Sequence, residues 1–346
     1  FILNRLEKLH VIYKDLGTMP KTVDVAIVGA GPCGLAAGIA AKRAGLHTVL
    51  FDRGCLVQTI MEYPTYLTFF STPERLEIAD IPFVISDAKP TRREALSYYR
   101  AVADRYELNI RQYEEVSHIS RSKDHFQVST RTHTGEELET EANAIVLATG
   151  AMAEANKLNV PGGDSEKVLH AFRESHPYYN QEVMVVGGGN SAVEAALALH
   201  RGGGRVTVVH FENEFDHGVK PWILPDILNR IEAGEIQACW GARVIEVFSD
   251  RVVLQSEGDG STKILDNDWV LAMTGWRPDH TLLHGLGVRT DPSTGIPDHN
   301  PRTMATNVPG IFVAGVLTAG FNANKIFIEN GRHHGELIAQ ALTPAS

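Results

Sequence analysis

The run Val23-Asp24-Val25-Ala26-Ile27-Val28 is rich in β-branched apolar residues and predicts a buried parallel strand; the small apolar stretch over 35–44 predicts a helix, and 47–51 a second strand. The same order returns later, with a strand over 182–186, a helix over 192–200 and a strand over 205–209. Between the two copies, 91–105 reads as a helix. Residues 125–131 and 138–141 read as strands about the Thr134-Gly135 turn, a meander covering one edge of a doubly wound sheet. Residues 144–150 predict a strand ending in the small-residue turn Ala148-Thr149-Gly150, and Asn159-Val160-Pro161-Gly162 a linker. Near the end, 307–316 predict another buried strand, followed by a helix over 322–341.

Each copy places a glycine turn between its first strand and its helix: Gly29-Ala30-Gly31-Pro32-Cys33-Gly34, and Gly187-Gly188-Gly189-Asn190-Ser191-Ala192. Glycines there permit a tight turn, let the backbone approach a pyrophosphate and let helix and strand pack closely; the phosphates meet the amide groups of the helix N-terminus. An acid after the second strand accepts from ribose hydroxyls, a role that falls to Asp52 in the first copy and to the segment His210-Phe211-Glu212 in the second. One such turn is weak evidence of a nucleotide, whereas two in full strand-turn-helix-strand context predict two nucleotide sites in one chain. The fold class expected is α/β, with two Rossmann-like dinucleotide-binding domains. Because a strand follows the second copy, the second domain is read as inserted in the first: 22–154 and 286–346 form one domain and 155–285 the other. Residues 1–21 are read as a leader or tag.

Composition narrows the function classes. At 346 residues and 43% hydrophobic content the chain can build two cores, and 32 basic against 42 acidic residues leave a net charge of -10 with no basic block. That balance argues against nucleic acid or an anionic membrane as partner, and with no membrane-length apolar run the expected location is cytoplasmic. No histidine or cysteine spacing predicts a metal site; His333 and His334 are adjacent and diverge on a helix.

Beyond these motifs, the chain from residue 22 to its end resembles the low-molecular-weight thioredoxin reductase class of flavoproteins. Within that class it is similar to the bacillithiol-disulfide reductases, also called bacilliredoxin reductases. The matching stretches are Gly31-Pro32-Cys33-Gly34-Leu35, Tyr63-Pro64-Thr65, Thr68-Phe69-Phe70-Ser71, Lys220-Pro221-Trp222-Ile223-Leu224-Pro225, Met273-Thr274-Gly275 and the run 322–331. The resemblance implies FAD in the first domain, held by Gly29, Gly31, Pro32, Gly34, Asp52, Thr149, Gly150 and Gly315. Backbone amides near Asn324, Lys325 and Ile326, at the start of the last helix, would stabilise the reduced ring. It also implies NADPH in the second domain, at Gly187, Gly189, Asn190, Ser191, Ala192, His210, Glu212 and Gly275, a homodimer, and domain rotation about hinges near 155 and 285. The implied reaction is NAD(P)H-driven reduction of bacillithiol disulfide or a related small thiol disulfide, with a bacilliredoxin-like protein as possible partner.

Three departures sharpen this expectation. Thioredoxin reductases carry a CxxC pair ahead of the second glycine turn, but 172–179 contain no cysteine, and Cys33, Cys55 and Cys239 form no such pair. Cys33, in the first turn of a helix whose dipole would favour a thiolate, is therefore the candidate catalytic thiol, against the alternative of a small residue filling a crowded turn. His176, Tyr178 and Tyr179 stand where the redox pair would be, as substrate contacts or as packing. Gly315 is followed by Val316 instead of the aspartate usual in the class. Finally, NADP-users of the class place arginines where this chain has His210-Phe211-Glu212; the local chemistry favours NADH, while Lys220, Arg205 and a protonated His210 are charges that could favour NADPH. Competing functions are an NAD(P)H:ferredoxin or flavodoxin reductase, a flavin monooxygenase and a non-enzymatic nucleotide-responsive binding protein.

Overall fold

The computed structural model describes residues 22–343; the leader reading over 1–21 lies outside them. In chain order the first elements are β1 (Thr22–Val28), α1 (Pro32–Arg43), β2 (Thr48–Asp52), α2 (Gln58–Glu62), α3 (Pro73–Leu76), α4 (Arg92–Arg105), β3 (Ile110–Gln112), β4 (Glu114–Arg121), β5 (Phe126–Thr132) and β6 (Glu137–Leu147). Then come β7 (Glu154–Ala155), β8 (Val168–Leu169), β9 (Glu182–Val186), α5 (Asn190–Arg201), β10 (Arg205–His210), α6 (Leu224–Glu232), β11 (Gln237–Trp240), β12 (Ala242–Val247), β13 (Arg251–Ser256), β14 (Thr262–Asp266), β15 (Trp269–Ala272) and β16 (Trp276–Arg277). The chain closes with α7 (Thr281–Gly285), β17 (Ile311–Val313), α8 (Ile328–Gly331) and α9 (His334–Leu342).

Two compact units result. The first takes the described chain up to Gln58, then 70–151 and 278 onward; the second takes 59–69 and 152–277. The break after Arg277 falls earlier than the expected residue 285 because α7 has its apolar side in the first unit's core, where Leu283 packs with Val288, Val116 and Ile119. Residues 59–69 join the second unit, where Thr65 N donates to the Arg173 carbonyl at 2.8 Å.

In the first unit a seven-stranded sheet runs β3-β2-β1-β6-β5-β4, with β17 also on β6. β1, β2, β3, β6 and β17 are mutually parallel, while β4, β5 and the first half of β6 form an antiparallel meander. The two strands expected over 138–141 and 144–147 are one strand, β6. Its first half pairs with β5 (Phe126 opposite Ala142) and its second half with β17 (Ile311 opposite Ile145). The second unit holds a parallel sheet β11-β10-β9-β15-β8 and a separate antiparallel meander β12-β13-β14. Its entering and leaving segments pair as a short ribbon, Trp276 opposite Ala155 and Arg277 opposite Glu154.

The helix expected over 322–341 is broken. Residues 323–325 form a 3-10 turn, Ile326 is extended, and only α8 and α9 are α-helical. Side chains compete for the backbone there: Asn322 accepts from Asn324 N, and Asn330 donates to the Lys325 carbonyl at 3.0 Å and accepts from Phe327 N at 2.8 Å. Asn324, Lys325 and Ile326 therefore do not begin a helix, and the expected dipole at that point is absent.

Candidate functional site

The two glycine turns are built the same way down to individual backbone atoms. In the first, Gly29 N donates to the Phe51 carbonyl at 2.7 Å, at the end of β2, and Gly29 has φ +109° with no room for a Cβ, which would strike the Ala148 carbonyl at the end of β6. In the second, Gly187 N donates to the Val209 carbonyl at 3.0 Å, and Gly187 has φ +139° with its Cβ position blocked by the Met273 carbonyl. Each glycine turn thus closes over the carboxyl ends of three neighbouring strands, the place where α/β sheets bind ligands.

In the first turn, Gly34 lies so close to Gly29 that a Cβ would strike its carbonyl, which locks α1 onto β1. Gly31, by contrast, has open space where a Cβ would sit; it is the N-cap of α1, with Pro32 behind it and no side chain capping the helix. No acidic residue stands in the first turn of α1, and the bare amides of this 12-residue helix fit the pyrophosphate of a dinucleotide. Gly150 has φ +79° and the same open space beside it. Asp52 carries a duty not foreseen from sequence: one carboxylate oxygen accepts from Ala30 N at 2.8 Å and the other from Gly54 N at 2.9 Å, so the acid fixes the turn it was expected to serve.

Cys33 lies half-buried against two glycines. A Cβ on Gly315 would come within 3.1 Å of Cys33 Sγ, and one on Gly331 within 2.9 Å, so both positions are bare because the thiol fills the space; Gly331 also abuts Ile326. Cys33 is held as a thiol and not as the expected thiolate. Burial pushes the Cys33 thiol up to about 12, and the helix dipole does not overcome that desolvation. Gly315 has φ +68°, and its N–H donates at 3.1 Å to His334 Nδ1, a contact sequence reasoning missed. Burial, with His299 and His333 nearby, lowers His334 to about 4, so its imidazole is neutral at physiological pH and Nδ1 is free to accept. The only signal in the sequence was a histidine early in the last helix, which no spacing rule singles out.

In the second turn, Gly189 is the N-cap of α5, again with no side-chain cap and no acid in the first turn. Asn190 turns away from the open end to clamp the segment beyond β10, donating to the Gly218 carbonyl at 3.0 Å and accepting from Lys220 N at 2.9 Å. That clamp brings Lys220 to the start of α5, where it opposes the burial that raises Glu194. Ser191 is exposed and Ala192 buried. Gly275, with φ +87°, lies in the ribbon at the unit's edge, where its carbonyl accepts from Asn156 N at 3.0 Å. Arg205, expected to supply charge, sits at the opposite end of β10, paired with Glu182. His210 lies five positions further along the strand, roughly 16 Å away. Tyr178 packs in the second unit's core, edge-on to Trp269, whereas Tyr179 is exposed. Cys33 and Cys239 form no disulfide.

Two glycine turns of one design, each over the parallel strands of its own sheet, define a two-nucleotide oxidoreductase architecture. The comparisons place the chain within it. A family model described as pyridine nucleotide-disulphide oxidoreductase matches residues 26–315, and the chain belongs to that family. It is 44% identical over 316 residues to bacilliredoxin reductase Bdr of Bacillus subtilis, spanning 90% of this chain and 95% of that protein. Among solved structures it is similar to bacillithiol disulfide reductase Bdr (YpdA) from Bacillus cereus, with 43% identity, TM-score 0.90 and coverage of 93% of this chain and 98% of that one. The Staphylococcus aureus protein of the same description gives 38% identity and TM-score 0.87 over the same shares. A flavin-containing monooxygenase from Stenotrophomonas maltophilia, at 21% identity and TM-score 0.71, shares the fold alone. Among the described residues no helix is long and apolar enough to cross a membrane.

Proposed function

We propose that the protein is an FAD-dependent reductase that uses a reduced pyridine nucleotide to cleave bacillithiol disulfide or a mixed disulfide on a bacilliredoxin-like protein. What supports this reading is the likeness, above 40% identity across nine-tenths of the chain, to proteins described by those substrates, in a sequence without a CxxC pair. Gly29, Gly31 and Gly34 with the N-terminus of α1 would hold the FAD pyrophosphate, and Gly187 and Gly189 with α5 that of the nucleotide. FAD, when bound, would accept the electron pair of the nucleotide and donate it to the disulfide.

Cys33 is the thiol proposed to meet the substrate. Its burial holds the proton on Sγ until a disulfide is seated. Sγ then attacks one substrate sulfur as the S–S bond breaks, and its proton goes to the leaving thiolate. The electron pair and the proton of the nucleotide's hydride, with one further proton from the medium, cleave the mixed disulfide, restoring the Cys33 thiol and releasing the second substrate thiol. The balance is one NAD(P)H oxidised to NAD(P)+ and one proton consumed as one disulfide becomes two thiols.

Anaerobic mixing of wild type and Cys33→Ser with NADH or NADPH, followed by bacillithiol disulfide, tests the reading. Both proteins should show flavin bleaching by the nucleotide, and only the wild type should turn over disulfide, with the variant lower by about a hundredfold or more. Equal disulfide turnover in both would remove Cys33 from the reaction. No disulfide turnover in the wild type, with brisk reduction of a ferredoxin or flavodoxin, would remove the disulfide reading itself.

A further inference from the structure

The two turns differ at one corresponding position. Asp52 follows Phe51 in the first unit and bonds to Ala30 of the turn; His210 follows Val209 in the second and lies over Gly188, the residue equivalent to Ala30, so closely that a Cβ on Gly188 would strike the ring. His210 is 3% exposed, and neither ring nitrogen has a hydrogen-bond partner. Its Nε2 faces Asp216 Oδ1 at 3.2 Å without the alignment of a hydrogen bond. A His210 ring nitrogen and a carboxylate oxygen from each of Glu212 and Asp216 lie within 4.8 Å of one another. The Asp216 backbone N–H donates to the Gly188 carbonyl at 3.1 Å, and a Cβ on Gly189 would come within 3.2 Å of Asp216 Oδ2, so this carboxylate overhangs the turn.

In dinucleotide folds this place, after the second strand and beside the glycine turn, meets the ribose of the adenosine half. We propose that Glu212 and Asp216, grouped about the buried His210, make the second site selective for NADH over NADPH: a carboxylate accepts from a free 2′-hydroxyl, and two carboxylates repel a 2′-phosphate. The proposal rests on the pyridine-nucleotide reading of the second glycine turn. The cations around the site are otherwise engaged. Arg243 stacks over Phe211 at 4.5 Å and pairs with Glu257, Arg205 pairs with Glu182 at the far end of β10, and Lys220 is held at the start of α5, on the pyrophosphate side. The residue that precedes the acid is Phe211, whose side chain offers a 2′-phosphate no hydrogen bond.

The test is binding, independent of turnover: calorimetric titration of the flavin-loaded protein at pH 8 with 5′-AMP and with 2′,5′-ADP, which differ only in the phosphate in question. The wild type should bind 5′-AMP at least about tenfold more tightly, and Glu212→Gln with Asp216→Asn should bring the two within about threefold; tenfold corresponds to about 1.4 kcal/mol. Glu212→Arg should reverse the order. Equal or tighter binding of 2′,5′-ADP by the wild type would overturn the selectivity while leaving the reductase reading intact. Failure of both ligands to bind a protein whose flavin the full nucleotides still bleach would overturn the placement of the adenosine at this turn.

Discussion

At the scale of single residues, the first unit's chemistry gathers where Gly315, Gly331, Cys33 and His334 converge, and His334 makes that convergence pH-dependent. Its Nδ1 accepts from Gly315 N only while the ring is neutral. The folded-state value of about 4 lies below the ordinary 6.5, so the stability it contributes is complete above pH 6.5 and is lost as pH falls towards 4. Discounted for partial exposure, the loss is on the order of 1–3 kcal/mol. Chemical denaturation between pH 7 and 4 should show this loss in the wild type and a flatter profile in His334→Gln, whose side-chain oxygen can accept from Gly315 without titrating. Identical acid profiles would show that the imidazole proton is irrelevant to this contact. Neither His334 nor the raised Cys33 value was legible in the sequence, because both depend on burial beneath segments nearly 300 residues away along the chain. The helix-dipole argument for Cys33 treated its turn as solvated and so took the wrong sign.

Among the elements, what the sequence conveyed depended on whether a segment's pattern matches its own environment. β1 and β9 are buried on both faces and read as continuous apolar runs, and both were legible. β6 changes environment midway: it alternates over its first half, at the rim against β5, and is buried throughout over 144–147, so one strand looked like two. β4 escaped notice because its buried positions include Glu114, which accepts from Thr130 at 2.6 Å and pairs with Arg111. α4 was legible from its period, and its start is explained by a capping box: Thr91 accepts from Glu94 N, and Glu94 accepts from Thr91 N at 2.8 Å. The helix is also pinned by Tyr98, which donates to the Ile81 carbonyl, and Tyr99, which donates to that of Leu76, each at 2.8 Å. Thr91→Ala should therefore fray only the first turn, costing about 0.5–1 kcal/mol. Amide hydrogen exchange should quicken about three- to fivefold at the N-terminus of α4 and stay unchanged around Tyr99. Global loss of protection would show that the cap supports more than its own turn.

The whole molecule repeats one device twice, and the repetition separates the effects of equivalent mutations. Glycine spacing made the two turns legible, but the strand carbonyl that seals each one was not: Ala148 and Met273 lie in stretches the sequence singles out, yet they seal the turns through their backbones, which side-chain identity does not reveal. Gly29→Ala and Gly187→Ala each ask an L-residue to adopt a positive φ and to drive a Cβ into a carbonyl oxygen that belongs to the sheet. The first cost alone is roughly 1–2 kcal/mol, and the collision cannot be relieved by rotating a side chain. The turn must shift, and with it the amides that would face a pyrophosphate. Gly29→Ala should lower the flavin retained through purification while leaving the second unit's affinity for 5′-AMP unchanged. Gly187→Ala should retain flavin and lose at least about tenfold in nucleotide affinity, a difference of about 1.4 kcal/mol, with bleaching slowed accordingly. Absorbance of the purified variants and calorimetry with the same ligand read the two effects separately. If Gly187→Ala sheds flavin, or if Gly29→Ala retains it and instead loses nucleotide affinity, the assignment of one cofactor to each turn is wrong, however well the architecture stands.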